Sequence, residues 1–197
     1  LVEVHAFGWL DDLAALGTRE ARMLAQDWTF RWIARFGRGA GPGWTPAVSA
    51  HRLACWLSHA TLLIDGAGPA EATLARAAGR TARFLARRWT SAEGVARMEA
   101  LAALVRSGLA FEEFAPQIVP AAVALGREAQ GLIDPHGAIA SRSPEDLATC
   151  FALLAETADL LAAAGRPVAE PHCAALLRIA PAIRALRHAD GGLPRFH

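Results

Sequence analysis

The chain contains neither tyrosine nor lysine. The first absence removes the phenol as an internal proton donor, and the second makes every long basic side chain an arginine, the group that pairs with planar carboxylates bidentately. The three cysteines, Cys55, Cys150 and Cys173, are odd in number, far apart and set among apolar neighbours, so they read as small buried hydrophobes and not as a disulfide framework. Long apolar runs are also lacking. The stretch from Leu147 to Gly165 is broken by Glu156 and Asp159, and the one from Leu101 to Phe111 by Arg106, so no transmembrane helix is predicted. The opening residues, Leu1-Val2-Glu3-Val4-His5, show no basic segment followed by an apolar one, so no signal peptide is read there. With 20 basic against 19 acidic residues the net charge is +1, which excludes a global field drawing the chain to nucleic acid or anionic lipid. Phosphate-binding loops, dinucleotide fingerprints, His-Glu-x-x-His and Gly-x-Ser-x-Gly are all absent, and no cofactor is expected.

What is present is alanine and leucine with few β-branched residues, which favours close-packed helices. The predicted class is all-α. Apolar residues recur at three and four spacings, and the periodicity predicts about eight helices: 4–16, 18–36 behind an N-capping Thr18, 49–64, 69–89, one opened by a Thr90/Glu93 capping box and ending near Gly108, 111–133, one opened by Ser143-Pro144 with Glu145 and Asp146 in its first turn, and 171–188. Short connections make successive helices antiparallel neighbours. The expected architecture is a series of antiparallel helical hairpins forming a partial α/α toroid, with an irregular bundle as the alternative. Residues 1–188 form one domain in this reading, and 189–197 begin a connection to a further, β-rich domain.

Three stretches carry candidate chemistry. On the helix after Trp44-Thr45-Pro46, Arg52, Cys55 and His59 share a face at three and four spacings. His51, Cys55 and His59 also have the spacing of metal ligands, but three ligands spread over two turns converge poorly, so a polar cluster facing a cleft is preferred and no metal is expected. Second, the loop before Pro144 delivers Arg142 and the amides behind Ser143 to one place, as an anion site would require. The third stretch is the tail, Arg187-His188-Ala189-Asp190-Gly191-Gly192, read first as a linker. Among the tryptophans, Trp44 on its Gly/Pro loop is the expected exposed stacking face, whereas Trp9, Trp28, Trp32, Trp56 and Trp89 suit a core. The adjacent acids Asp11-Asp12 and Glu112-Glu113 are expected on solvated surfaces and not as the paired carboxylates of a glycoside hydrolase.

Taken in order, Trp9-Leu-Asp-Asp-Leu13, Trp44-x-Pro46, Arg52-Leu-x-x-Trp56-Leu-x-His59, Ser141-Arg-Ser-Pro144 and Arg187-His-x-Asp-Gly-Gly-Leu-x-x-Phe196 resemble the helical domain of bacterial heparinase II/III-like proteins. The resemblance implies an α/α toroid followed by a β-sandwich domain, with an acidic polysaccharide or oligosaccharide held between them and cleaved by β-elimination. It implies that Trp44 stacks on sugar, that Arg52, Cys55, Arg142 and Ser143 contact anionic substrate, and that His59 and His188 serve as catalytic groups, His188 as base. Two departures stand out. The tyrosine acid of that scheme is absent from the sequence, and Cys55 and Ser143 occupy positions where asparagine is expected. The isolated chain is therefore expected to be inactive. The alternative is a non-catalytic helical scaffold or interaction domain.

Overall fold

A computed structural model describes residues 2–64, 66 and 68–187, and among them every regular element is helical. The chain runs α1 (Val2–Ala6), α2 (Trp9–Leu16), α3 (Arg19–Phe36), α4 (Pro46–Ser58), α5 (Ala60–Leu63), α6 (Pro69–Arg88), α7 (Gly94–Ala110), α8 (Ile118–Leu132), α9 (Pro144–Ala163) and α10 (Glu170–Leu186), with short 3-10 turns at Trp89–Ser91 and Glu112–Gln117. The fold is all-α. His188 and residues 189–197 lie outside the described residues. No described helix is long and apolar enough to cross a membrane.

Local chemistry explains most boundaries. Thr18 accepts from the Ala21 amide at 3.1 Å, and Ser143 accepts from the Asp146 amide at 3.1 Å, as expected of N-caps. Thr45 caps α4 ahead of Pro46, so this helix starts earlier than the expected Ser49. The capping box at Thr90 does not form: Trp89–Ser91 turns as a 3-10 segment, and Glu93 sits at the N-cap of α7 without a side-chain bond. Pro116 likewise divides the expected helix 111–133 into a 3-10 turn and α8.

The expected first helix is broken at Phe7, which takes φ +71°, a left-handed conformation seldom seen for a bulky residue. Tertiary packing overrides helical propensity there. The Phe7 ring is fully buried, with Trp9, Trp32 and Trp56 at 5.0, 5.3 and 5.2 Å between centroids.

Helix α7 is the centre of the molecule. Met98, Leu101, Leu104 and Val105 are buried together with Ala100, Ala102 and Ala103, so the helix is apolar nearly all round and has neighbours on every side. It packs on α4, α6, α8 and α9; α4 also meets α1 and α6, and α10 closes over α8 and α9. Small residues set the spacing. A methyl group on Gly108 would lie 2.5 Å from Ile118 Cγ1 and 2.9 Å from the Phe114 carbonyl, and one on Gly126 would lie 3.0 Å from the His172 amide nitrogen.

Candidate functional site

A polar seam runs where α2, α4, α7 and α9 meet. It begins at His59, the residue that ends α4, whose Nε2 lies 2.6 Å from Asp11 Oδ1 in the first turn of α2. Asp11 is thus an imidazole partner and not merely a solvated acid. Beside it, Arg106 of α7 donates from Nη1 to Ser58 Oγ and from Nη2 to Glu156 Oε2 of α9, both at 2.7 Å. This guanidinium ties α4 to α7 and α9.

Cys55 lies within the field of both Asp11 and Arg106. Burial, with the Asp11 charge adding to it, pushes its thiol up to about 12, so it stays protonated. His51 Nδ1 sits 2.9 Å from the Ala6 carbonyl and 3.4 Å from Cys55 Sγ. The carbonyl requires an N–H donor, so His51 carries its proton on Nδ1 and does not abstract one from the thiol. Burial also raises the Glu99 carboxyl, partly offset by His51, and holds Cys150 up at about 11. Among the described residues no three His, Cys, Asp or Glu groups are placed to hold a metal ion.

Two clefts open on this seam. His51 reaches a cleft of about 730 Å³ lined by Trp9, Trp28, Trp32, Arg31 and Arg35, with Glu3 and Asp12 also on its wall. Trp9 and Trp28 stand edge to face at 5.4 Å, and Trp28 is 47% exposed. Arg31 is held by Asp27 at 2.7 Å, and Arg35 stacks over Phe36 at 5.1 Å. On the other side, Ser58 and Arg106 reach a cleft of about 690 Å³ with an apolar floor that includes Trp56, Leu74 and Phe111, and with Glu71, Glu156 and Asp159 lining it.

The sequence-predicted residues fall into three separate places. Cys55 and His59 join the seam. Trp44 and Arg52 do not: Trp44 is 8% exposed, its Nε1 donates to the Phe36 carbonyl at 2.8 Å, and its ring packs on Phe84. It has no free face for a sugar, which corrects the expectation of an exposed ring. Arg52 is fully buried, donating to the His5 and Gly43 carbonyls at 3.1 and 2.7 Å and to Ser49 Oγ at 3.1 Å, with Trp32 and Trp44 within 4.5 and 4.8 Å of its guanidinium carbon. It organises the core and is closed to substrate.

Arg142 is exposed on the loop before α9, and Ser143 spends its hydroxyl on the Asp146 amide. The amides expected to receive an anion are thus capped from within, which corrects the substrate-contact role expected of Ser143. The residues missed in sequence are Arg106, Trp9, Trp28, Arg31 and Arg35. Arg106 gave a signal as a lone charge in an apolar stretch; Trp28 was masked by its helical spacing to Trp32 and Phe36.

Comparison with known proteins finds similarity to FtsZ-localized protein C of Caulobacter vibrioides, 31% identical over 202 residues. The match covers 100% of this chain, which spans about one third (34%) of that relative's length. No protein-family profile and no solved structure matches the chain.

Proposed function

We propose that this chain is the glycan-binding helical part of a heparinase II/III-like polysaccharide lyase, and that it holds a uronate-containing chain along the Trp9/Trp28 cleft and the adjoining seam. The observation that carries this reading is the meeting of the exposed Trp28 and the half-buried Trp9 with Arg31 and Arg35 in one open cleft. Indole faces stack on the C–H faces of sugars, and guanidinium groups pair with carboxylates. The neighbouring His59–Asp11 pair supplies an oriented imidazole, and Arg106 a cation beside it. We read the side-by-side helices α4, α7 and α9, backed by α6, α8 and α10, as a segment of an α/α toroid. In β-elimination the proton beside the uronate carboxylate is removed while that carboxylate is neutralised, and a second group protonates the leaving oxygen. The sequence has no tyrosine, so a tyrosine acid belongs to a β-sandwich domain beyond this chain, and the chain alone binds without cleaving.

The intact protein, assayed on a panel of acidic glycans by the ultraviolet absorbance of the unsaturated product and by direct binding, tests this. Trp28→Ala is expected to weaken glycan affinity about ten-fold, or ~1.4 kcal/mol, with little loss of stability. Absence of both binding and cleavage across the panel would remove the reading.

A second reading, an interaction domain, is favoured by the other cleft. Glu71 and Asp159, beside a Glu156 already tied to Arg106, disfavour an acidic glycan, and the apolar floor suits a helix of a protein partner. The relative's name associates that protein with FtsZ. Cosedimentation of the intact protein with FtsZ polymers, abolished by substitutions in this cleft and indifferent to Trp28→Ala, would select this reading.

A further inference from the structure

A third cavity, of about 740 Å³, lies under the connection between α8 and α9, away from the seam. The connection is a compact hairpin. Ile133 and Ile139 form an antiparallel bridge, and Asp134 Oδ1 accepts from the His136 and Ala138 amides at 2.8 and 2.9 Å. These bonds and the Gly137 amide beside them hold the Asp134 carboxyl below the usual carboxylate range. Gly137, at φ +82°, lets the turn lie directly on α10: a methyl group there would be 2.1 Å from the Arg178 carbonyl. The hairpin is therefore seated on the backbone of Arg178 itself, and Arg178 and Arg142 line one cavity.

The two guanidinium groups are unequal. Arg142 is exposed, at φ +53°, a left-handed backbone conformation. Arg178 has Nε and Nη2 shut off from solvent, and neither has an acceptor. N–H groups cut off from both solvent and acceptors are costly, and a guanidinium offers a fork of parallel N–H groups that fits two oxygens of one anion. The Asp134 carboxylate on the wall is engaged by backbone amides and forms no ion pair with either arginine, leaving the lining with two cations against one anion.

We infer that this cavity is an oxyanion site, in which Arg178 with Arg142 receives a carboxylate or phosphate group of a ligand. The site is independent of the glycan cleft proposed above. Binding turns the shut-off Nε and Nη2 of Arg178 toward the cavity that this residue lines, and the exposed Arg142 supplies the second cation on its wall.

The test uses the intact protein with two probes, inorganic phosphate followed by phosphorus-31 relaxation and glucuronate followed by saturation-transfer NMR, against a chloride background. Saturable binding of either probe is expected, with affinity falling about ten-fold in Arg178→Gln and by a smaller factor in Arg142→Gln. A preference for glucuronate identifies the group as a carboxylate, and a preference for phosphate as a phosphoryl group. Arg142 is exposed, so its variant remains folded and informative even if Arg178→Gln unfolds. No saturable binding of either probe, or binding unchanged in both variants, would overturn the inference. Trp28→Ala leaves phosphate binding untouched, and any glucuronate binding that it removes belongs to the glycan cleft, so failure of this inference and failure of the glycan reading are told apart.

Discussion

The two ends of the molecule each shut arginine N–H groups away from solvent, and they answer them to different degrees. In the N-terminal part, which holds five of the six tryptophans, Arg52 is enclosed by Trp32, Trp44 and Trp56 and gives Nη1 and Nη2 to two carbonyls and a hydroxyl, with Nε alone left unanswered. In the alanine-rich C-terminal part, Arg178 is half-buried with two N–H-bearing nitrogens unanswered. The first guanidinium is a fastener: burial pulls its pKa down, yet the acceptors and ring faces around it suit a cation. The second is an unfilled valence. Large rings cannot interdigitate as closely as methyl groups, so the N-terminal part leaves an open cleft beside Trp9 and Trp28 and needs a polar tie to fix its loops. The alanine-rich helices approach until glycine is required.

The sharpest way to break this comparison is to make the same substitution at both arginines. Arg52→Met removes the donors to His5, Gly43 and Ser49 while keeping apolar bulk against the rings. With two carbonyls and a hydroxyl left unanswered in the core, the expected loss is about 3–5 kcal/mol. Arg178→Met, which orphans no acceptor, is expected to change stability by less than about 1 kcal/mol in anion-free buffer. Chemical denaturation of both variants measures the difference. Equal losses would mean that Arg178 is as firmly integrated as Arg52.

Much of the helical framework was legible in the sequence, and the exceptions are physical. The helices, the Thr18 and Ser143 caps and the shared face of Cys55 and His59 follow from spacing and capping chemistry, which act within a few residues. Trp44 did not follow. A Gly/Pro loop suggests exposure, but an indole N–H that finds the Phe36 carbonyl draws the whole ring inward. Trp28, Trp32 and Phe36 read as one stripe, yet Trp32 is 5% exposed and Trp28 47%, because Trp32 is covered by His5 of α1, Phe7 in the following turn and Trp56 of α4, whereas Trp28 meets, among the described rings, only Trp9. The seam depends on Asp11 meeting His59 and Glu156 meeting Arg106, separations of 48 and 50 residues that periodicity cannot see.

The alanine-rich half is tested by adding a single methyl group. Gly108→Ala places a carbon against Ile118 Cγ1 and the Phe114 carbonyl, and the carbonyl belongs to the backbone and cannot turn away. Better helix propensity returns up to about 1 kcal/mol, whereas overpacking against an immovable carbonyl costs about 2–3 kcal/mol, at the upper end of its range, so a net destabilisation of about 1–2 kcal/mol is expected. A neutral or stabilised variant by thermal or chemical denaturation would show that α7 and the turn before α8 have slack.

The smallest effect concerns the buried histidine of each half. His172 donates from Nε2 to the Leu154 carbonyl at 2.8 Å and has no partner at Nδ1, and burial lowers its pKa below 6.5. His5 is lowered too, by burial and then by Arg52, and its Nδ1 accepts from Trp32 Nε1 at 2.9 Å. At neutral pH both are uncharged in folded and unfolded chains, and their contribution to stability is complete. Below the unfolded value the unfolded chain takes up protons that the folded chain refuses, so stability falls with pH until the lowered folded values are reached. The slope cannot exceed about 1.4 kcal/mol per pH unit for each histidine. The melting temperature of the wild type is therefore expected to drop between about pH 7 and about pH 5, and His172→Gln is expected to remove the C-terminal share of that slope. At His5 the proton must displace the hydrogen bond from Trp32 and enter beside a guanidinium. At His172 it needs only an acceptor for Nδ1. A residual slope in His172→Gln thus measures what acid does to the aromatic half, and a melting temperature flat across this range in the wild type would show that neither histidine is held neutral by its burial.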